Sequence, residues 1–275
     1  VAVLLSVVIV THNEEANLAR TLESVKPLVG GGKGEIIVVD SGSTDGTVEI
    51  AKSYGARVFI EEWKGFAEQK NSAIDKAAGD WILSLDADEE VGSVAREFIL
   101  LVLSGARDVL NGSAGFWFSR RNYFLGRWIR HGGFYPDRKL RLIKRGWGRF
   151  EPRAVHEDVK LQAGHHGYAA ANAFGLGGLD ILHHSYPTLT GYLEHMNRYS
   201  SLGAEMVVGK RTGKVRFRVS DIVLRPLLTF VYNYFFRLGF LDGREGLLLH
   251  LYHAVYVSWK YAKAWELSRQ PPGPR

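Results

Sequence analysis

Asp86-Ala87-Asp88 sets two carboxylates one residue apart, directly after the apolar run Trp81-Ile82-Leu83-Ser84-Leu85 and the turn pair Gly79-Asp80. Carboxylate oxygens are hard ligands suited to Mg2+ or Mn2+, cations that keep coordination positions open for phosphate oxygens. Two such groups where a buried strand emerges suit a metal ion carrying a diphosphate. The same tripeptide also occurs as a solvated acidic loop, so its meaning depends on its neighbours.

Two further strand ends carry polar groups. Val38-Val39-Asp40-Ser41-Gly42-Ser43-Thr44-Asp45-Gly46-Thr47 ends a strand in a carboxylate and continues in small residues that let a ligand approach the backbone. Asp40 can accept a hydrogen bond from a nucleobase imide or a ribose hydroxyl. Asp45 can do the same or cap the following helix. Thr11-His12-Asn13-Glu14 joins a helix start to a carboxylate, with capping by Asn13 and dipole compensation by Glu14 and Glu15 as the alternatives. Lys70, in Gln69-Lys70-Asn71, is either a point charge for a phosphate or part of a solvated helix face. Neither G-x-x-x-x-G-K-[ST] nor a strand-linked G-x-G-x-x-G occurs, which removes P-loop and dinucleotide-binding readings.

The elements that must position these groups alternate. Ser6–Thr11, Glu35–Asp40, Ala56–Ile60 and Trp81–Leu85 read as strands. Glu15–Val25, a short segment ending at Gly55, Phe66–Ala78 and Val94–Leu103 read as helices. Strands alternating with helices predict an α/β fold with a mostly parallel sheet covered on both faces, and ligands at the carboxyl ends of its strands. Gly115 to His184 reads as mixed β structure with long loops, and the chain from Thr188 onward as helical. The expected division is a catalytic domain over 1–186 (halves 1–105 and 106–186), a helical membrane-associating region over 187–269, and a disordered proline-rich tail over 270–275.

The 275 residues include no cysteine, which excludes a disulfide framework, a zinc-thiolate centre and a cysteine nucleophile. Residues 207–275 hold twelve Lys/Arg against four acids, a balance of +8, whereas the rest of the chain carries −2. That asymmetry predicts an anionic partner for the C-terminal part. The apolar Val1–Val10 reads as a buried first strand, not a leader, because it has no basic n-region. No stretch reaches the roughly 18 apolar residues of a membrane span. Two shorter stretches, Leu227–Phe236 and Leu247–Trp259, are rich in aromatic residues and flanked by Arg or Lys. They predict interfacial helices on an anionic membrane surface, with helices packed on the protein as the alternative. Nucleic acid is not expected as a partner.

In order and spacing, Val7-Val8-Ile9-Val10-Thr11-His12-Asn13-Glu14-Glu15, Ile36-Ile37-Val38-Val39-Asp40-Ser41-Gly42-Ser43-Thr44-Asp45-Gly46-Thr47 and Gly79-Asp80-Trp81-Ile82-Leu83-Ser84-Leu85-Asp86-Ala87-Asp88-Glu89 resemble family-2 glycosyltransferases. These are inverting, nucleotide-sugar-dependent enzymes of the GT-A fold. Tyr135 to Arg141, Ala154 to Asp158 and Arg237 to Gly243 resemble one branch, which contains lipopolysaccharide core β-1,4-glucosyltransferases. The resemblance implies that Asp40 and Glu14 hold uracil and ribose of a UDP-sugar, with Thr11, Asn13 and Ala87 alongside. It implies that Asp86 contacts ribose or metal, and that Asp88 ligates the Mg2+ or Mn2+ bridging the diphosphate. Inversion needs a general base; Glu157 is expected in that role, with Asp158 as the alternative.

His184, or its neighbour His183, is a candidate third metal ligand. Arg138 with Arg141, and His131 near Trp128, can grip a phosphorylated acceptor or simply form a basic surface strand. The expected enzyme is peripheral, on the cytoplasmic face of the inner membrane, and acts on a lipid-linked glycan. A polyprenyl phosphate or another envelope glycan is the alternative acceptor, and a non-catalytic nucleotide-sugar or nucleic-acid binding protein is the alternative of another class.

Overall fold

The structure, a computed structural model, describes residues 4–105, 112–151, 158–164, 166–168, 178–210 and 215–269. The chain forms two compact units. The first comprises Val1–Arg120 and Asp137–His183, the second Arg121–Pro136 and His184–Arg275. The last passage of the chain from the first unit to the second falls at His183/His184, and segment 121–136 belongs with the C-terminal part. Residues 270–275, expected to be disordered, lie outside the described residues.

The first unit opens with β1 (Leu5–Thr11), α1 (Leu18–Val29), β2 (Gly34–Asp40), α2 (Thr47–Ser53), β3 (Arg57–Ile60), α3 (Phe66–Asp75) and β4 (Trp81–Asp86). Then follow β5 (Glu89–Val91), α4 (Ser93–Leu103), β6 (Gly115–Phe124), β7 (Arg127–Trp128), which lies in the second unit, and β8 (Asp137–Lys144). The short strands β9 (Gly148–Phe150), β10 (Val159–Leu161) and β11 (Gly167–Tyr168) precede β12 (Asp180–Tyr186). The main sheet runs in the order β3-β2-β1-β4-β8-β6-β12-β5. β1 pairs in parallel with β2 and β4, whereas β8 lies antiparallel to both β4 and β6. The α/β class and the alternation read from the first hundred residues are present, with an antiparallel half added to the parallel one.

Both faces of the central strands are covered, which is why they read as continuous apolar runs. Val7 and Ile9 pack with Leu18 and Leu22 of α1 and Phe98 of α4. Val8, pointing the other way, packs with Ala67, Ala73 and Ile74 of α3. The turn into β4 passes so close to β1 that a Cβ on Gly79 would lie 2.6 Å from the Ser6 nitrogen. Only glycine fits there.

α1 begins at Leu18 instead of Glu15. Asn13 holds a left-handed backbone (φ 56°), and the amide nitrogens of Glu14 and Glu15 donate to Thr47 Oγ1 and Asp45. Tertiary acceptors thus take the groups a longer helix would have used.

In the second unit, Thr188 caps α5 (Leu189–Gly209) by accepting from the Gly191 nitrogen. A continuous helical stretch follows: π-helical Ser220–Leu224, α6 (Arg225–Val231) and π-helical Tyr232–Phe236. A tight turn at Gly239–Asp242 leads into α7 (Gly243–Leu267). α7 buries Leu249 with Tyr192, and Ala264 with Ala204, while Lys263 Nζ donates to the Asn197 carbonyl and Ser200 Oγ. The stretch Leu247–Trp259, expected as an interfacial helix, packs one side on α5, while Leu247 and Leu251 remain exposed. Among the described residues no helix is long and apolar enough to cross a membrane.

Candidate active site

The parallel register sets Thr11 opposite Asp40, and Val10 opposite Asp86. The three carboxyl ends therefore open at one level, where ligands bind in such sheets. Asp40 is fully buried, and its four acceptor positions are all used within the protein. Oδ1 accepts from the Gly42 and Ser43 nitrogens (3.0 and 2.7 Å), and Oδ2 from the Thr11 and Ser43 hydroxyls (2.7 and 2.6 Å). Asp40 thus shapes the loop on which the expected nucleobase or ribose contact would be made. The open polar group of this loop is Ser41 Oγ, which is buried without a hydrogen-bond partner among the described residues.

The loops after β1 and β2 interlock. Asn13 N donates to Ser43 Oγ at 2.8 Å, and Asn13 Oδ1 accepts from the Thr44 nitrogen at 2.8 Å. Gly46 N donates to Glu15 Oε2 at 2.8 Å. Asp45 Oδ1 accepts from the Thr47 nitrogen and hydroxyl in a turn one residue ahead of Gly46, the N-cap of α2. Burial pushes the Glu14 carboxyl above the ordinary glutamate range; a hydrogen bond from Asn17 offsets this, and the charges of Asp88, Asp45 and Asp86 add to the rise. These loops enclose a negative field that a cation relieves.

Asp86 anchors a charge network across β4, β6 and β8. Lys70 Nζ lies 2.7 Å from its Oδ1, and Arg141 Nη2 lies 2.7 Å from its Oδ2. Arg141 also contacts Glu89, which is fully buried, and Arg120 Nη1 stands 3.5 Å from the same carboxylate. Burial alone would raise the Asp86 carboxyl, yet Arg141 and Lys70 hold it well below the usual range. Each oxygen therefore carries one close protein cation, which offsets the charge of this carboxylate. Lys70, also 5.2 Å from the Phe150 ring centroid, serves Asp86 in place of a phosphate because α3 turns it inward. The expected Arg138–Arg141 grip is absent: in a strand, residues three apart face opposite ways, leaving Arg138 exposed and Arg141 buried.

Asp88 is as buried as Asp86 but is not held by the Lys70 and Arg141 cations. His183 Nε2 lies 3.3 Å from its Oδ2, and although burial works to raise this carboxyl, His183 holds it below the ordinary range. His184, expected as the metal ligand, instead stacks on Tyr123 at 5.1 Å, since successive strand residues alternate faces. Among the described residues no group of three or more His, Asp or Glu side chains is arranged to hold a metal ion. One carboxylate and one imidazole do fit a cation whose remaining ligands are diphosphate oxygens and water. Ala87 is buried, and its carbonyl accepts from Thr21 Oγ1 at 2.7 Å. Glu157 lies outside the described residues; Asp158 is partly exposed and sits 3.2 Å from Lys139 Nζ.

In the second unit Trp128 lies between two guanidinium groups, Arg121 and Arg130, each 4.4 Å from its ring centroid. His131 Nδ1 is 3.0 Å from Asp242, which also accepts from the His131 and Arg130 nitrogens. This buried aspartate orders the loop that carries both acceptor candidates of this unit.

Sequence reasoning missed Arg120, Glu89 and Ser41. Glu89 follows the carboxylate pair directly, and Arg120 stands in an aromatic-basic strand, but nothing local in the sequence connects them.

The profile of Glycosyl transferase family 2 matches residues 6–147, the segment that carries the first unit's strand ends. The lipopolysaccharide core biosynthesis glycosyltransferase LpsC of Rhizobium meliloti (strain 1021) is 31% identical over 268 residues, 95% of this chain and 92% of that one. An uncharacterized glycosyltransferase of Rickettsia typhi is 44% identical over 95 residues, 34% of this chain and 31% of its own length. Among solved structures, glucosyl-3-phosphoglycerate synthase from Mycobacterium tuberculosis, determined with Mn2+ and UDP, aligns at 27% identity over 44% of each chain with a TM-score of 0.34. With a matched profile over half its length and a relative matched nearly end to end, this chain is a member of glycosyl transferase family 2 and a glycosyltransferase of the GT-A fold.

Proposed function

We propose that this chain transfers a hexose, glucose from UDP-glucose, with inversion onto a hydroxyl of a lipid-linked glycan such as the lipopolysaccharide inner core. The observation that carries this reading is the Asp88–His183 pair, set beside the interlocked loops at the parallel strand ends. Asp88 and His183 would hold Mg2+ or Mn2+, which supplies Lewis acidity toward a departing diphosphate. Asp86, neutralised by Lys70 and Arg141, fixes the position of Asp88 and leaves it as the anionic group facing the cation. Ser41 Oγ, without a partner among the described residues, offers a hydrogen bond for the nucleotide. Glu157 takes the proton of the attacking hydroxyl, with Asp158 as the competing base. The LpsC relative supports a lipid-linked core glycan as acceptor. The basic C-terminal part supports a peripheral position on the cytoplasmic face of the inner membrane.

Release of UDP from UDP-glucose, followed with and without Mn2+, tests the donor half. Asp88→Ala should abolish it in a protein that stays folded; unchanged turnover would remove the metal assignment. Glu157→Gln should keep donor binding and lose transfer. If Asp158→Asn alone behaves this way, Asp158 is the base. Mass analysis of a lipid-linked core acceptor against a polyprenyl phosphate decides the acceptor class.

A further inference from the structure

The helical stretch 220–236 exposes apolar residues in adjacent pairs that recur every four positions: Val223/Leu224, Leu227/Leu228 and Phe235/Phe236, with Tyr232 in the same row. Phe236 is 75% exposed and Leu228 57%. In a pure α-helix a four-residue step overshoots a full turn by about 40°, so such pairs would spiral around the axis. π turns, bonded i→i+5, are wound more loosely and fall short of a full turn over four residues. The π–α–π order cancels the drift and lines the pairs along one straight ridge. The opposite side is held to the protein: Asp221 and Pro226 are buried, and Ser258 Oγ on α7 donates to the Ile222 carbonyl at 2.9 Å. Phe217 and Val219 before the ridge, and Leu238, Phe240 and Leu241 after it, are exposed as well. Contiguous apolar surface on this scale marks an interface.

Charge identifies the occupant. From Arg216 to Arg244 the sequence carries five arginines (Arg216, Arg218, Arg225, Arg237, Arg244), all exposed. The two acids of this interval are both buried: Asp221 is paired with Arg225 at 3.1 Å, and Asp242 holds the His131 loop. Within this interval the exposed charges are all positive, and Glu245, next along the chain, faces Arg127 at 3.8 Å. That pattern complements acyl chains beneath anionic headgroups, with the arginine stems lying along apolar surface and their heads among phosphates. A two-fold contact between copies would set these arginines against themselves. The stretch contains Arg225 near its middle and meets no criterion for crossing a bilayer, so it lies flat.

We propose that the ridge from Phe217 to Leu241 is the element by which this chain docks on an anionic lipid leaflet. The inference deepens the reading of a peripheral enzyme by assigning docking to this ridge and not to α7. The experiment is flotation of the full chain with phosphatidylethanolamine–phosphatidylglycerol vesicles and with neutral phosphatidylcholine vesicles, at low and high salt. The wild type should float with the anionic vesicles and less so at high salt. Leu228→Asp/Phe236→Asp should lower the partition coefficient at least about 100-fold. Both sites are exposed, so the thermal midpoint and Mn2+-dependent UDP release from UDP-glucose should be retained. Leu100→Asp/Leu101→Asp, exposed on α4, should float like the wild type. Flotation of the ridge variant at the wild-type level overturns the proposal. So does a wild type that fails to float, or one that forms a dimer which the ridge variant dissolves. UDP release without flotation would sink the docking ridge alone. Flotation without UDP release would sink the enzymatic reading alone.

Discussion

Replacing Arg141 with methionine removes the centre of the network that fixes Asp86 and Glu89. Truncating one partner of a buried ion pair leaves an uncompensated charge and destabilises by about 3–5 kcal/mol. Two contacts soften this here: Lys70 stays 2.7 Å from Asp86, and Arg120 stays 3.5 Å from Glu89. Each carboxylate keeps one cation, so the expected loss is at the lower end, about 3 kcal/mol. Glu89→Gln in the same background removes the carboxylate left with only the longer Arg120 contact, and the double variant should recover about 2 kcal/mol relative to additive single losses. Urea unfolding gives the free energies, and native-state hydrogen exchange should place the weakening in β4 and β8. The sign with pH follows from Asp86, whose carboxyl is held low by Arg141 and Lys70 despite burial. Its contribution is complete above the ordinary carboxylate range and is lost as pH falls through the folded value, so Arg141→Met should move acid unfolding to higher pH. A loss below about 1 kcal/mol, or strictly additive single and double variants, would refute the network as a source of stability.

Two other perturbations follow from the same structure. Asp40→Ala strands two amides and two hydroxyls and should destabilise by about 3 kcal/mol, as read by urea unfolding. Asp40→Asn should lose only about 1 kcal/mol, since its oxygen can face the amides while its NH2 donates to the reoriented hydroxyls. Burial, with His253 adding and Asp242 opposing, pushes His250 down to about 4. The unfolded chain therefore takes up a proton first, and about 3 kcal/mol is lost as pH falls from about 6.5 toward 4. His250→Phe should flatten the pH dependence of the urea midpoint across that window; an unchanged slope would show that other groups govern it.

The parallel half of the fold was legible because its strands are buried on both faces and end in polar residues. Val7–Thr11, Ile36–Asp40 and Trp81–Asp86 each carry that pattern in a few consecutive positions. Asp88 was legible for the same reason. The partners of this acidic run were not, because Arg141 and Arg120 (to Asp86 and Glu89) and His183 (to Asp88) arrive from antiparallel strands whose register no local pattern fixes. The choice between His183 and His184 turns on a single step of strand alternation, which the sequence leaves open until β12 is paired with β5. Asp40 was seen as a ligand because its neighbours are small; the same small residues are the donors that saturate it. The stretch 247–259 resembles 227–236 in composition, yet one is packed against α5 and the other is exposed. Composition reports what a helix can touch, and the tertiary partner decides what it does touch.

The pairing of β1 bears on how the chain is made. This strand is completed on one side by β2 and on the other by β4, with Leu5 opposite both Gly34 and Trp81. At about 5–20 residues per second of synthesis, the ~75 residues between β1 and β4 take roughly 4–15 s to emerge. During that interval Val7-Val8-Ile9-Val10 is an uncharged β-branched segment with one edge unsatisfied, the kind of sequence that pairs with other chains. Translation pauses before β4, or depletion of nascent-chain chaperones, would therefore be felt first as aggregation through the strand that later becomes the middle of the sheet.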